Sequence, residues 1–86
     1  MKTIYEDVTT KNTKEFAFRI IKLEDGSYLV IQQAFRIFPD NGKALKSERK
    51  TICLNVSELK TCAVNSGRQG RLFLDSQVFM QMADNK

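Results

Sequence analysis

The tetrapeptide Glu24-Asp25-Gly26-Ser27 constrains this chain more than any other feature. Asp-Gly between two apolar runs is the strongest short signal for a β-hairpin, because these residues accept the positive φ of a tight reversal. The runs on either side, Phe16 to Leu23 and Tyr28 to Phe38, are therefore read as paired antiparallel strands. In the second, the odd positions Leu29, Ile31, Gln33, Phe35 and Ile37 predict a core face with one flaw. The even positions Tyr28, Val30, Gln32, Ala34, Arg36 and Phe38 make a mixed face. A run this long predicts a bulge or a bend.

Further along, Pro39-Asp40-Asn41-Gly42 has turn chemistry. A basic segment follows, read as a loop carrying Lys43, Lys46, Arg49 and Lys50, and leads into a strand with Ile52, Leu54 and Val56 inward. Ser57 to Lys60 predicts one or two helical turns with Asn55 or Ser57 as the cap. Asn65 to Gly70 reads as a loop. From Arg71 to Met82 the even positions are mostly apolar and the odd ones mostly polar, which predicts a long, bent strand with Leu72, Leu74, Val78, Met80 and Met82 inward. Residues 1–13 read as a poorly ordered arm, or as a short edge strand through Ile4 to Val8. Ala83 to Lys86 read as a frayed end. The sum is a single domain over residues 1–86, all-β or β-rich α+β. It would be a small antiparallel coiled sheet or OB-like barrel of four to five strands with at most one short helix.

So short a chain has a small margin of stability, and such domains lean on disulfides, metals or a second subunit. There is no His and there are only two Cys, which argues against metal. Cys53 and Cys62 read as free thiols of a reducing cytoplasm. That leaves a homodimer as the expected support. No signal peptide and no run long enough to span a membrane is present, so the expectation is a soluble protein in the cytoplasm of a prokaryotic or virally infected host cell.

The net charge is +4 and is unevenly spread: Lys43 to Arg71 holds seven basic residues against two acidic, and the rest seven against eight. An excess of this kind suits an anionic partner, nucleic acid first. Catalysis finds little footing. There is no His for acid–base work at neutral pH, no base beside either Cys, and no phosphate-cradling Gly-rich motif. No cofactor is implied.

The residues expected to face outward are more suggestive. Phe73 and Phe79 fall on the polar side of the last predicted strand, in line with Arg71, and Tyr28, Arg36 and Phe38 share the mixed side of the second. Rings interleaved with cations are what single-stranded nucleic acid needs, since bases stack on rings and phosphates follow cations. The candidate binding residues are Tyr28, Arg36, Phe38, Lys43, Lys46, Arg49, Lys50, Arg68, Arg71 and Phe73. The alternative for the rings is burial, and for the basic segment an ordinary solvated loop. Gly67-Arg68-Gln69-Gly70 has the G-x-x-G spacing of a backbone-clamping RNA loop, but glycines required by a tight turn explain it as well.

Ser57-Glu58-Leu59-Lys60, then Gly67 to Gly70, then Gly70-Arg71-Leu72-Phe73-Leu74-Asp75 resembles the closing part of the small single-stranded-DNA-binding proteins of filamentous phages. The resemblance covers about a third of the chain. It implies a dimeric five-stranded OB-like barrel coating single strands cooperatively, in a phage or mobile element. The aromatic usual in that family's Gly-rich turn is replaced here by Gln69. A succession of strands ending in a short helix also resembles small PUR-type folds, which bind single strands too. The expected function is therefore non-catalytic binding of single-stranded nucleic acid, DNA favoured over RNA. A small protein-interaction module, inhibitor or accessory subunit is the alternative.

Overall fold

The computed structural model describes residues 1–84; of the end read as frayed, Ala83 and Asp84 are instead helical and Asn85 and Lys86 lie outside the described residues. Four strands form one antiparallel sheet in chain order: β1 (Lys2–Lys11), β2 (Lys14–Lys22), β3 (Tyr28–Ile37) and β4 (Lys43–Cys53). Three short helices follow: α1 (Val56–Val64), α2 (Gly67–Leu74) and α3 (Gln77–Asp84). The domain is β-rich α+β, as the sequence predicts, but the sheet does not close into a barrel. β1 and β4 are both edges.

The Asp-Gly hairpin forms as expected. Gly26 takes φ +89°, and the turn is fastened by Leu23 N–H donating to Ser27 O at 2.9 Å and Ser27 N–H donating to Asp25 Oδ1 at 2.9 Å. The Ser27 hydroxyl, and after it the Ser27 N–H, donate to Asp25 Oδ1 and hold that carboxyl below its ordinary range. Of the two readings of residues 1–13, the edge strand holds and the arm does not: β1 runs through Ile4 to Val8 and beyond, over ten residues, and is joined to β2 by Asn12-Thr13 with Asn12 at φ +57°. The segment read as a basic loop is instead β4, an edge strand whose Lys and Arg side chains discourage further strand addition.

The largest departure lies at the C-terminus. One long strand was the expectation, and α2 and α3 take its place. Gly70, Phe73 and Leu74 make one helical stripe, and Val78, Phe79 and Met82 another. Between them Ser76 ends one helix and begins the next: its Oγ donates to Phe73 O and accepts from Phe79 N–H at 3.3 Å. Two brief helical stripes around that break add up to a false period of two. α1 is capped by Asn55, whose Oδ1 accepts from Glu58 N–H at 2.9 Å, while Glu58 reaches back to Leu54 N–H at 2.9 Å.

The helices lie on one face of the sheet and cover about half its length. Phe18, Ile20, Tyr28, Val30, Cys53, Leu59, Ala63 and Phe73 form the buried core, with Ile4 and Tyr5 packed against it. A register shift at Ile4 lets both of those neighbours reach the core. The core parity of β3 is thus the reverse of the expected one. Tyr28 and Val30 are covered, whereas Leu29, Ile31, Phe35 and Ile37 lie on the opposite, helix-free face. A second register shift, at Ala34/Phe35, gives β4 one extra residue, Lys46.

Candidate functional site

Paired residues of an antiparallel ladder share a face, so the register assigns every side chain to one side or the other. On the helix side, the rows from the edge of the core outward run Asp7–Phe18–Gln32–Arg49, then Thr9–Phe16–Ala34–Ser47, then Lys11–Lys14–Arg36–Ala44. Ser66 and Gln69 form the rim where the helices stop; Gln69 Nε2 donates to Phe16 O at 3.0 Å and to Asp7 Oδ2 at 3.1 Å. Beyond that rim lies a hollow of about 380 Å³ lined by Lys14, Phe16, Ala34, Arg36 and Lys46. Phe38 stands at its end, 39 % exposed, with the Arg36 guanidinium 5.7 Å from its ring centre.

Beyond the rim the charge is one-sided; the carboxylate nearest to it on this side, Asp7, accepts from Gln69 at the rim itself. Lys11, Lys14 and Arg36 stand directly opposite one another on three adjacent strands, with Lys46 beside them and Arg49 two rows back toward the helices. None of the five pairs with a carboxylate among the described residues. Like charges opposite one another across a sheet are destabilising, so the row is an arrangement that an anion would relieve.

The other face is balanced. There Arg19 pairs with Glu6 at 3.1 Å, Lys43 with Glu15 at 2.8 Å, and Lys50 with Glu48 at 3.8 Å.

The ten expected binding residues therefore separate. Arg36, Phe38, Lys46 and Arg49 come together along the uncovered helix-side stretch. Lys43 and Lys50 point to the opposite face and are paired. Arg68 and Arg71 lie on the solvent side of α2, lining a shallow hollow with Asp75. Two rings are not outward at all. Phe73 has no exposed surface and stacks edge-on against Tyr5 at 5.0 Å and Phe79 at 5.4 Å; Tyr28 is buried over the end of the sheet. Neither can meet a base: Phe73 points from α2 into the core, and Tyr28 belongs to the same core beneath the helices that sequence periodicity concealed. Lys11, Lys14 and Phe16 are additions from the structure. Their signal was the Lys11-Asn12-Thr13-Lys14 turn, hidden by reading residues 1–13 as an arm or as a strand ending at Val8.

The G-x-x-G segment is part of α2 and its preceding turn. Gly67 takes φ +69° at the reversal, and Gly70 packs so close to α1 that a Cβ would overlap the Ala63 carbonyl. Both cysteines are free. Burial, then the neighbouring Cys62, pushes the Cys53 thiol up to about 11, so it is not a thiolate at neutral pH. Among the described residues no group of three His, Cys, Asp or Glu could hold a metal ion, and no helix is long and apolar enough to cross a membrane. No protein-family model, curated protein or solved structure matches this chain.

Proposed function

We propose that this chain is a non-catalytic binder of single-stranded nucleic acid, DNA ahead of RNA, working in a reducing cytoplasm. The observation that carries the reading is the unpaired cross-strand row Lys11–Lys14–Arg36, extended by Lys46 and Arg49. Phosphates satisfy such a row; a polar solvated face would intersperse carboxylates, as the opposite face does. Two rings favour an unpaired strand over a duplex. Phe38 is exposed at the end of the row and Phe16 lines its floor, so unstacked bases have surfaces to lie on. The resemblances to filamentous-phage binders and PUR-type folds point to the same ligand class. They do not carry over Phe73 or Tyr28 as stacking residues, since both are core.

The test is fluorescence anisotropy with labelled oligo-dT and a matched duplex across a salt series. Five phosphate contacts on a single strand give a slope of log K against log salt near ~3.5, or a loss of ~100-fold between about 50 and 200 mM. Lys14→Ala and Arg36→Ala should each flatten that slope by about 0.7, while Lys43→Ala and Lys50→Ala leave it unchanged. Absence of binding at the lower salt overturns the reading, and so does a slope that follows Lys43 and Lys50 instead.

A further inference from the structure

The helix-free face of the sheet is the largest feature that nucleic-acid binding leaves unused. Along β3 it is lined by Leu29, Ile31, Phe35 and Ile37, interrupted by Gln33, and β2 adds Ile21 and Ala17 with Arg19 and Glu15. Toward its edges Val8, Leu45 and Ile52 are 54 %, 52 % and 53 % exposed. An antiparallel sheet can face water on one side, but then that side is normally polar. Here β3, one of the two central strands, carries a row of large apolar residues broken only by Gln33, and nothing in the fold covers it.

We infer that this face is where a second copy of the chain packs, sheet against sheet. Three observations commit it to that occupant. The first is area. Four strands of about ten residues, spaced about 4.8 Å apart and rising about 3.3 Å per residue, give a face of about 600 Å². Two copies would bury about 1,200 Å² between them, which reaches the range of stable specific interfaces.

The second is charge. The face holds Glu6, Glu15 and Glu48 against Arg19, Lys43 and Lys50, so two copies meet without net repulsion, whereas the helix-side stretch would repel itself. A polyanion has no net cation to seek here.

The third is self-complementarity. A two-fold axis lying in the face along the strands brings Lys50 over Glu6 of the second copy, because both belong to one cross-strand row. An axis across the strands, between that row and the next, brings Lys50 over Glu48 of the second copy and sets Leu29 against Phe35 and Ile52 against Leu45. Either symmetric arrangement seats Lys50 on a carboxylate. The two helix layers would then be outermost and the two cationic rows would face away from each other. Dimer formation through this face does not depend on nucleic-acid binding, and its test uses no nucleic acid.

Sedimentation equilibrium of the purified full chain should give twice the 9.9 kDa of one copy at tens of micromolar. Ile52→Glu and Leu45→Glu alter side chains already half exposed in one copy, so they should leave the far-ultraviolet circular dichroism unchanged. Each should weaken the dimer at least tenfold. Lys50→Glu should weaken it too, and Glu6→Lys or Glu48→Lys added to it should restore association, which a merely destabilised fold would not do. A wild-type chain that stays monomeric overturns the inference, as does a dimer that survives all three folded variants. A different protein found on this face of a monomer overturns it as well.

Discussion

At the residue scale, burial separates rings that the sequence treats alike. Phe73 and Phe38 are both aromatic neighbours of basic residues in the chain, yet one has no exposed surface and the other stands at the open end of the cationic row. Phe73→Ala should therefore cost about 3–5 kcal/mol of stability in urea unfolding, through the cavity left beside Tyr5, Phe18 and Phe79. Phe38→Ala should move the urea midpoint little and weaken oligo-dT binding instead, by about 1–3 kcal/mol per base stacked. The basic residues separate in the same way. Arg49 and Lys50 are adjacent in sequence and lie on opposite faces because a strand alternates. Composition locates the excess charge in the middle of the chain, but only the pairing register shows which of those cations keep a carboxylate and which do not.

At the scale of elements, legibility followed how local the cause was. The β2–β3 hairpin and the Asn55 cap were readable because each rests on a few contiguous residues with specific backbone demands. β4 was not, because five of its eleven side chains are charged and its strand state comes from bonds to β3 rather than from its own pattern. α2 and α3 were not, because each has eight residues, too few for one stripe to outweigh a coincidental alternation. Helices this short owe their stability to packing rather than propensity. Gly70 is where that packing is tightest. Helix propensity alone says that Gly70→Ala gains about 1 kcal/mol. The overlap of the new Cβ with the Ala63 carbonyl and the Ser66 side chain predicts the opposite sign, a loss of about 1–3 kcal/mol in thermal or urea unfolding. A gain would mean that α1 and α2 can separate without cost.

At the scale of the molecule, the domain is drawn out. Its radius of gyration is 13.8 Å, against about 12 Å for a compact chain of this length, and it measures 47 × 24 × 19 Å. The elongation arises because the strands run past the helices. One half of the sheet is a two-layer domain with a core; the other is a projecting ladder that carries Lys11, Lys14, Arg36 and Lys46. Native-state hydrogen exchange should show this division. Amides of Phe18, Ile20 and Val30 should exchange last, near the global unfolding limit, and those of Thr9, Lys14 and Arg36 well before them. Uniform exchange across both halves would mean that the projecting ladder is held from outside. That the candidate site lies on this ladder was illegible in the sequence, because a site defined by where helices stop cannot be seen until the helices are placed.

The extra residue in β4 has a consequence beyond local geometry. Were Lys46 instead drawn into regular pairing opposite Phe35, unbroken alternation would turn Lys43 and Leu45 to the helix side and Ala44 to the other, while everything from Ser47 onward kept its place. Loss of the bulge would thus exchange the allegiance of a short block of residues in a single step, adding an apolar side chain to the charged surface and taking one from the surface opposite. Two surfaces that substitutions can tune independently, each at its own parity, are tied together at this one position by register.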